Sequence, residues 1–274
     1  MVDPTTLATQ VPWGSLIKAT ATAVELVRRQ DWLAEAWRVL MLRLGSEHDI
    51  VILGAKGVGK TTLLDNLRGA SAQASYALPP TSIRPEAAVT TLDGARAITV
   101  IPGDHHRTRE DALRAAIITN PRLRVVVFVV CDGLATLRDE AVRQSAVRSG
   151  LTLADVRKQN RAEELRELQS LVEQLRIARN QTHLRLVIAV NKADLWWPDL
   201  ETVYQRYDKS GVGPFAETLR ELEGRMGSQN IHICTVPAVA WSEDYVLGDE
   251  NVPVALRNEQ DRRLLTRRFV ETLS

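Results

Sequence analysis

An α/β fold, with a mostly parallel sheet covered by helices on both faces, is predicted by two observations. From residue 49 onward, short apolar runs rich in Val and Ile alternate with longer amphipathic runs. The first of those apolar runs passes through a glycine-rich loop directly into a helix. At 274 residues the chain is long enough for one large domain with an appendage, and its core needs no disulfide staples. A formal net charge of +1 gives no electrostatic reason to expect nucleic acid as a partner.

Taken in order, residues 14 to 44 predict a helix, because Leu26, Leu33, Trp37, Leu40 and Leu44 keep one apolar stripe together; Gly45 ends it. This makes residues 1–47 an N-terminal helical extension and 48–274 the main domain. Trp13, Trp32 and Trp37 among Arg and Lys residues raise the alternative of a membrane-touching or partner-binding helix. Glu25, Asp31 and Glu35 dilute that case, so packing on the domain is the expectation. The strands expected are "DIVILG", "AAVTTL", "RAITVI", "RVVVFVV", "RLVIAV" and "IHICTV". "LDG" between the second and third marks a tight turn and hence an antiparallel hairpin.

Helices are expected over about Thr61–Gly69, Arg109–Thr119, a long charged stretch ending near Asn180, Pro214–Met226 and Leu256–Leu273. The connection from Leu134 to Gln181 is long for neighbouring strands. Residues 134–160 therefore read as a helical insertion, with "TLAD" at Thr152–Asp155 resembling a capping box. Cys131 and Cys234 each lie in a strand-like run, which suits a reducing compartment and offers no metal-ligand spacing. The N-terminus lacks a secretory pattern, Val2 excludes N-myristoylation, and no run of about eighteen apolar residues occurs, so a cytoplasmic location is expected.

The chemistry is concentrated in two motifs. Gly54-Ala55-Lys56-Gly57-Val58-Gly59-Lys60-Thr61 fits G-x-x-x-x-G-K-[ST] between a strand and a helix, with Thr62 following. Such a loop turns its N–H groups toward phosphate oxygens, and the helix start adds its positive dipole end. Lys60 would reach the β- and γ-phosphates, and the Thr61 hydroxyl would ligate Mg²⁺. The second motif, Asn191-Lys192-Ala193-Asp194, follows an apolar strand, where open α/β sheets bind ligands. The carboxylate of Asp194 can accept from both the ring N–H and the exocyclic amine of guanine, a pair that adenine lacks. The stem of Lys192 can lie along a base plane.

On "GAKGVGKTT" and "NKAD" the chain from about Asp49 to Ser274 resembles the Ras-like small GTPases. The resemblance implies a three-layer G domain with a six-stranded sheet, GTP or GDP with Mg²⁺ as ligands, and two switch segments. It places Thr81 as a second Mg²⁺ ligand in switch I, with Thr90 and Thr91 as sheet residues. It also places Ala240 in "TVPAVAW" where a backbone N–H meets the guanine oxygen. Switch II departs from the family, since Val100-Ile101-Pro102-Gly103 carries no Mg²⁺ aspartate. In this it is similar to bacterial polarity GTPases of the MglA type.

Gly103 would still donate to the γ-phosphate. Asp104 stands at the position of the water-orienting residue, and His105 beside it is the better group to orient water. Lys56, where many relatives carry glycine, could crowd a partner's arginine finger, neutralise transition-state charge, or point to solvent. Trp196, Trp197 and Trp241 flank the base-binding segments as loop packing or as a platform for a partner. The expectation is a GTP-binding switch with slow intrinsic hydrolysis, assisted by an activating or effector protein. A non-hydrolysing GTP-dependent scaffold is the alternative.

Overall fold

The computed structural model describes residues 49–68, 85–90, 96–103, 107–137, 140–178 and 183–273. The expected N-terminal extension with its helix, Thr81, Asp104 and His105 lie outside the described residues.

Six strands form one sheet: β1 (Ile50–Leu53), β2 (Glu86–Thr90), β3 (Arg96–Val100), β4 (Val125–Val130), β5 (Leu184–Val190) and β6 (Ile231–Pro237). Their order is β2-β3-β1-β4-β5-β6, all parallel except β2, which pairs antiparallel with β3 as the "LDG" signal implied. The central strands β1 and β4 are buried along their whole length, which is why they read as unbroken apolar runs rather than alternating ones. Parity then divides the core. Ile50 and Ile52 face one layer with Leu63, Leu64 and Phe269. Val51 and Leu53 face the other with Phe128, Leu168, Leu171 and Phe215.

The first layer holds α1 (Lys60–Leu67) and α7 (Glu259–Leu273). The second holds α2 (Arg107–Leu113), α4 (Leu153–Ile177) and α6 (Pro214–Met226). Between them in sequence come α3 (Glu140–Arg148) and α5 (Leu200–Tyr207).

The helices differ from expectation where caps decide. α4 starts at Leu153, inside the segment expected as an insertion up to residue 160, because the capping box is real: Asp155 N–H donates to Thr152 Oγ1 at 3.2 Å, and Thr152 N–H donates to Asp155 Oδ2 at 3.1 Å. Residues 153–160 of that segment thus belong to α4, and α3 occupies its earlier part. α7 starts at Glu259 rather than Leu256, since Asn258 Oδ1 caps the Gln260 N–H at 3.0 Å while the N–H groups of Ala255 and Leu256 both donate to Asp194 O. α2 continues into a π-helical turn, Arg114–Ile118, which buries Ala116 and Ile117. Cys131 is buried as expected, whereas Cys234 is only half-buried because β6 is an edge strand.

A two-stranded hairpin, β7 (Tyr245–Leu247) with β8 (Glu250–Val252), was not anticipated. The signal was present as Gly248-Asp249, with Gly248 at φ 58, between two very short runs. α5 was also missed, because the Trp-Trp-Pro run ahead of it hides its start.

Candidate nucleotide-binding site

The carboxyl ends of β1, β4 and β5 lie side by side, with Leu53 paired to Phe128 and Val130 to Val190. The loop that leaves β1 is built on positive-φ glycines, Gly57 at 77° and Gly59 at 91°. Neither position has room for a side chain. A Cβ on Gly57 would lie 2.6 Å from Thr136 O, and one on Gly59 would lie 2.5 Å from Asn191 Nδ2. Lys60, at the first turn of α1, folds back so that Nζ donates to Gly54 O at 2.9 Å and Ala55 O at 2.8 Å. The ammonium thus sits over the loop whose amides a phosphate would use. Thr61 is half-buried and Thr62 buried. Lys56 is exposed.

The base-side motif is tied into this loop. Asn191, 1% exposed, donates from Nδ2 to Val58 O at 2.8 Å and accepts from Ala240 N–H at 3.0 Å. One side chain therefore fixes the phosphate loop against the segment after β6. Trp196 Nε1 donates to Asn191 O at 2.8 Å, so this tryptophan is loop packing. Lys192 adopts a left-handed backbone, φ 58, and its Nζ donates to Leu134 O at 2.6 Å and Thr136 Oγ1 at 2.5 Å. Thr136 N–H in turn donates to Gly57 O at 3.0 Å.

Asp194 is 1% exposed, yet neither carboxylate oxygen accepts a hydrogen bond among the described residues. Burial pushes its carboxyl above the ordinary range, opposed by nearby Ser242 and by the charges of Lys192 and Arg262. The nearest donors, the Ser242 hydroxyl and the N–H of Asp194 itself, counter the upward shift in part but fall short of full hydrogen-bond geometry to either oxygen. A buried acceptor pair without donors is costly to keep unless a ligand supplies them.

Ala240 departs from its expected role. Its N–H is committed to Asn191 Oδ1 and its carbonyl accepts from Asn66 Nδ2 at 2.6 Å. The residue lines the site but spends its amide inside the protein.

A cavity of about 320 Å³ opens between the two motifs, lined by Gly57, Gly59, Asn191, Lys192, Ala240 and Trp241. The motifs gave no hint of further walls from Thr136, Leu137, Arg143 and Tyr245, which come from the chain after β4 and from the hairpin. Only the position of Thr136 just beyond the end of β4 could have flagged it.

Gly103 lies against the same loop, since a Cβ there would be 2.6 Å from Lys56 N. It is held by its neighbour: Pro102 O accepts from Arg109 Nε at 2.9 Å, and Arg109 forms a buried ion pair with Glu167 of α4. Val100 is 1% exposed and packs in the core, so β3 ends without a carboxylate toward the site. Among the described residues no group of three or more His, Cys, Asp and Glu could hold a metal ion.

No protein-family model and no curated protein matches this chain. Among solved structures it is similar to the signal recognition particle receptor SRb-GTP/SRX complex from Chaetomium thermophilum, at 17% identity over 73% of this chain and 94% of that one, with a TM-score of 0.42. It is similar to the mammalian SRP receptor at 19% identity, over 70% and 90% of the two chains, with a TM-score of 0.41. Its sheet order and the glycine-built loop after β1 are those of the three-layer α/β fold with a mostly parallel six-stranded sheet expected from the sequence.

Proposed function

We propose that this protein is a guanine-nucleotide switch that binds GTP and GDP and hydrolyses GTP slowly. The observation that carries this reading is the buried carboxylate of Asp194, which no donor among the described residues meets in hydrogen-bond geometry, on the segment that Asn191 ties to the phosphate loop. The ring N–H and exocyclic amine of guanine are the two donors that would satisfy it. Lys60 and the loop amides would hold the phosphates. The residues also fit Mg²⁺, which keeps several waters and takes few protein ligands: Thr61 would supply its hydroxyl, and phosphate oxygens most of the rest. Thr81 remains the second ligand proposed from sequence.

The slow rate is part of the proposal, and Val100 at the end of β3, in place of a carboxylate, supports it. β3 brings no carboxylate, and positioning of the attacking water falls to Asp104 and His105, which are proposed for that role from sequence alone. Phosphoryl transfer depends on positioning and charge stabilisation, so a partner protein that supplies both is part of the proposal. Nothing in the charge balance calls for nucleic acid, and the cytoplasmic location stands as an inference from sequence. The core placement of Val100 favours a second reading, a GTP-dependent scaffold without turnover.

Calorimetric titration of nucleotide-free protein with GTP, GDP and ATP in Mg²⁺, followed by chromatography of the products, tests both readings. Selective binding of GTP with slow GDP formation is the expected result. Binding without turnover selects the scaffold, and equal binding of ATP refutes the guanine assignment.

A further inference from the structure

Two elements that neither motif includes, α3 and the β7–β8 hairpin, form an outer wall of the cavity described above. Arg143 of α3 and Tyr245 and Val246 of β7 line it together with the phosphate loop and the base-side segment. The wall is built rather than loosely apposed. Tyr245 OH donates to Ala135 O at 3.0 Å in a buried contact, and its ring lies 5.5 Å from Lys192 Nζ. Glu250 Oε1 accepts from Leu153 N–H at 2.8 Å, which ties the hairpin to the start of α4.

Below the hairpin, Asp244 Oδ1 accepts from Val254 N–H at 2.8 Å, and Asp194 O accepts from Ala255 and Leu256 N–H at 2.8 and 3.1 Å. The hairpin turn rests on α3, since a Cβ at Gly248 would lie 3.3 Å from Val147 Cγ2. A second groove on the outer side, lined by Arg143, Gln144, Val147, Arg148 and Val246, shares Arg143 with the inner cavity. Arg143 therefore stands on the lip between them, while Arg148 belongs to the outer groove alone.

The charges around the cavity decide what this lip can do. Lys192 turns its ammonium toward Leu134 O and Thr136, Glu243 accepts from Trp241 Nε1 at 3.3 Å, and Asp244 is taken by Val254 N–H. Arg143 makes contacts of its own within the protein. A guanidinium nevertheless has five N–H donors in a planar fork, so it can keep such contacts and still engage the oxygens of a bound ligand. With its phosphates on the phosphate loop and its base on the base-side segment, a nucleotide would have its sugar and first phosphate in the cavity that Arg143 lines.

We infer that Arg143 is an additional nucleotide contact, made to the ribose–phosphate portion. α3 and the hairpin act as a fixed side wall that slows nucleotide release. The inference rests on the guanine-nucleotide reading above. It assigns residence time to a residue outside both motifs, and it predicts a selective effect on dissociation, because a lip contact is broken on exit while the encounter step is little changed.

The test is dissociation of tritiated GDP from the full chain, chased with excess unlabelled GDP. Arg143→Gln is compared with Arg143→Lys, with Arg148→Gln and with the natural protein; the unmodified ligand leaves the ribose hydroxyls intact. A charge-assisted hydrogen bond to the ligand predicts release about ten to a hundred times faster for Arg143→Gln. Arg143→Lys should fall between, since it keeps charge without the fork, and Arg148→Gln should match the natural protein. Circular dichroism of each variant checks that α3 remains folded.

Equal release rates for the natural protein and a folded Arg143→Gln would overturn the inference, as would equal acceleration by Arg148→Gln, which would reduce the effect to general charge. If Arg143→Gln loses helix content, Arg143→Lys decides alone, and release at the natural rate refutes the forked contact. Failure of the natural protein to bind GDP at all would instead strike the guanine-nucleotide reading, so the two failures are distinguishable.

Discussion

Asp194→Asn should move stability and affinity in opposite directions. The carboxylate is buried and no donor among the described residues meets it in hydrogen-bond geometry. Burial therefore favours its protonated form, and the folded-state pKa lies above the ordinary value. For an acid shifted upward, the folded state binds the proton more tightly than the unfolded chain does. Stability then falls as pH rises from the unfolded value, about 3.9, through the raised folded value, and the loss persists at neutral pH.

An asparagine carries no charge to desolvate. Removing an unsatisfied buried charge should recover about 1–3 kcal/mol, or about 2–10 °C in the melting temperature of a domain this size. The gain should vanish below about pH 4, where the natural carboxyl is protonated in both states. With guanine nucleotide present the sign reverses. The lost acceptor served two donors, each charge-assisted bond being worth about 1.5–3 kcal/mol, so affinity should drop by about 10²–10⁴-fold, with preference moving toward xanthine nucleotides. Thermal unfolding across pH, with and without GDP, reads both effects. A ligand-free variant less stable than the natural protein at pH 7 would show that Asp194 serves the fold, and unchanged GTP affinity would place the base elsewhere.

Asn191→Ala removes both hydrogen bonds that join the phosphate loop to the segment after β6 and leaves Val58 O and Ala240 N–H buried without partners. A loss of about 2–4 kcal/mol is expected in urea unfolding, and a midpoint unchanged from the natural protein would mean that the two segments are held otherwise. Gly57→Ala meets Thr136 O at 2.6 Å and a φ of 77°. The backbone strain alone costs about 1–2 kcal/mol; the variant should lose nucleotide binding in calorimetry, and tolerance of alanine would contradict the loop geometry. Arg109→Leu removes the buried ion pair with Glu167 and the hydrogen bond to Pro102 O. It should cost about 3–5 kcal/mol in thermal unfolding, and Arg109→Leu with Glu167→Leu should recover much of it; no recovery would mean that the ion pair is not what Arg109 contributes.

What the sequence revealed follows from how local its signals are. The phosphate loop is eight consecutive residues and the base-side motif four, so their chemistry is legible without a fold. The capping box at Thr152 and Asp155 is likewise a contact over three positions, and it held. The strands were legible because parallel central strands are buried on both faces and leave unbroken apolar runs. Illegible features depend on distance along the chain. Tyr245 and Ala135 are 110 positions apart, and Asn66 and Ala240 are 174 apart. Nothing in a window around either partner announces the pair. The hairpin escaped because two three-residue strands give too few alternations to register a period.

The largest illegible feature sits where β4 ends, and it explains why the two motifs meet at all. Asp132 takes a left-handed backbone, φ 52, and buries its carboxylate among Arg157 and Arg161 of α4 and Arg206 of α5. The Arg161 bonds measure 3.0 and 2.8 Å. Beside it, Glu164 accepts from Cys131 N–H at 2.8 Å, Gly133 N–H at 3.3 Å and Tyr207 OH at 2.5 Å. Burial pushes the Glu164 carboxyl and the Tyr207 hydroxyl upward. These bonds offset the strain of turning the chain sharply out of the sheet. The turn delivers Leu134 O and Thr136, which receive Lys192 and hold Gly57. Removing the arginines would leave Asp132 as an uncompensated buried charge, and the turn that aligns the phosphate loop with the base-side strand would lose its reason to form. The register of the candidate site is thus set by α4 and α5, through arginines that do not line the cavity.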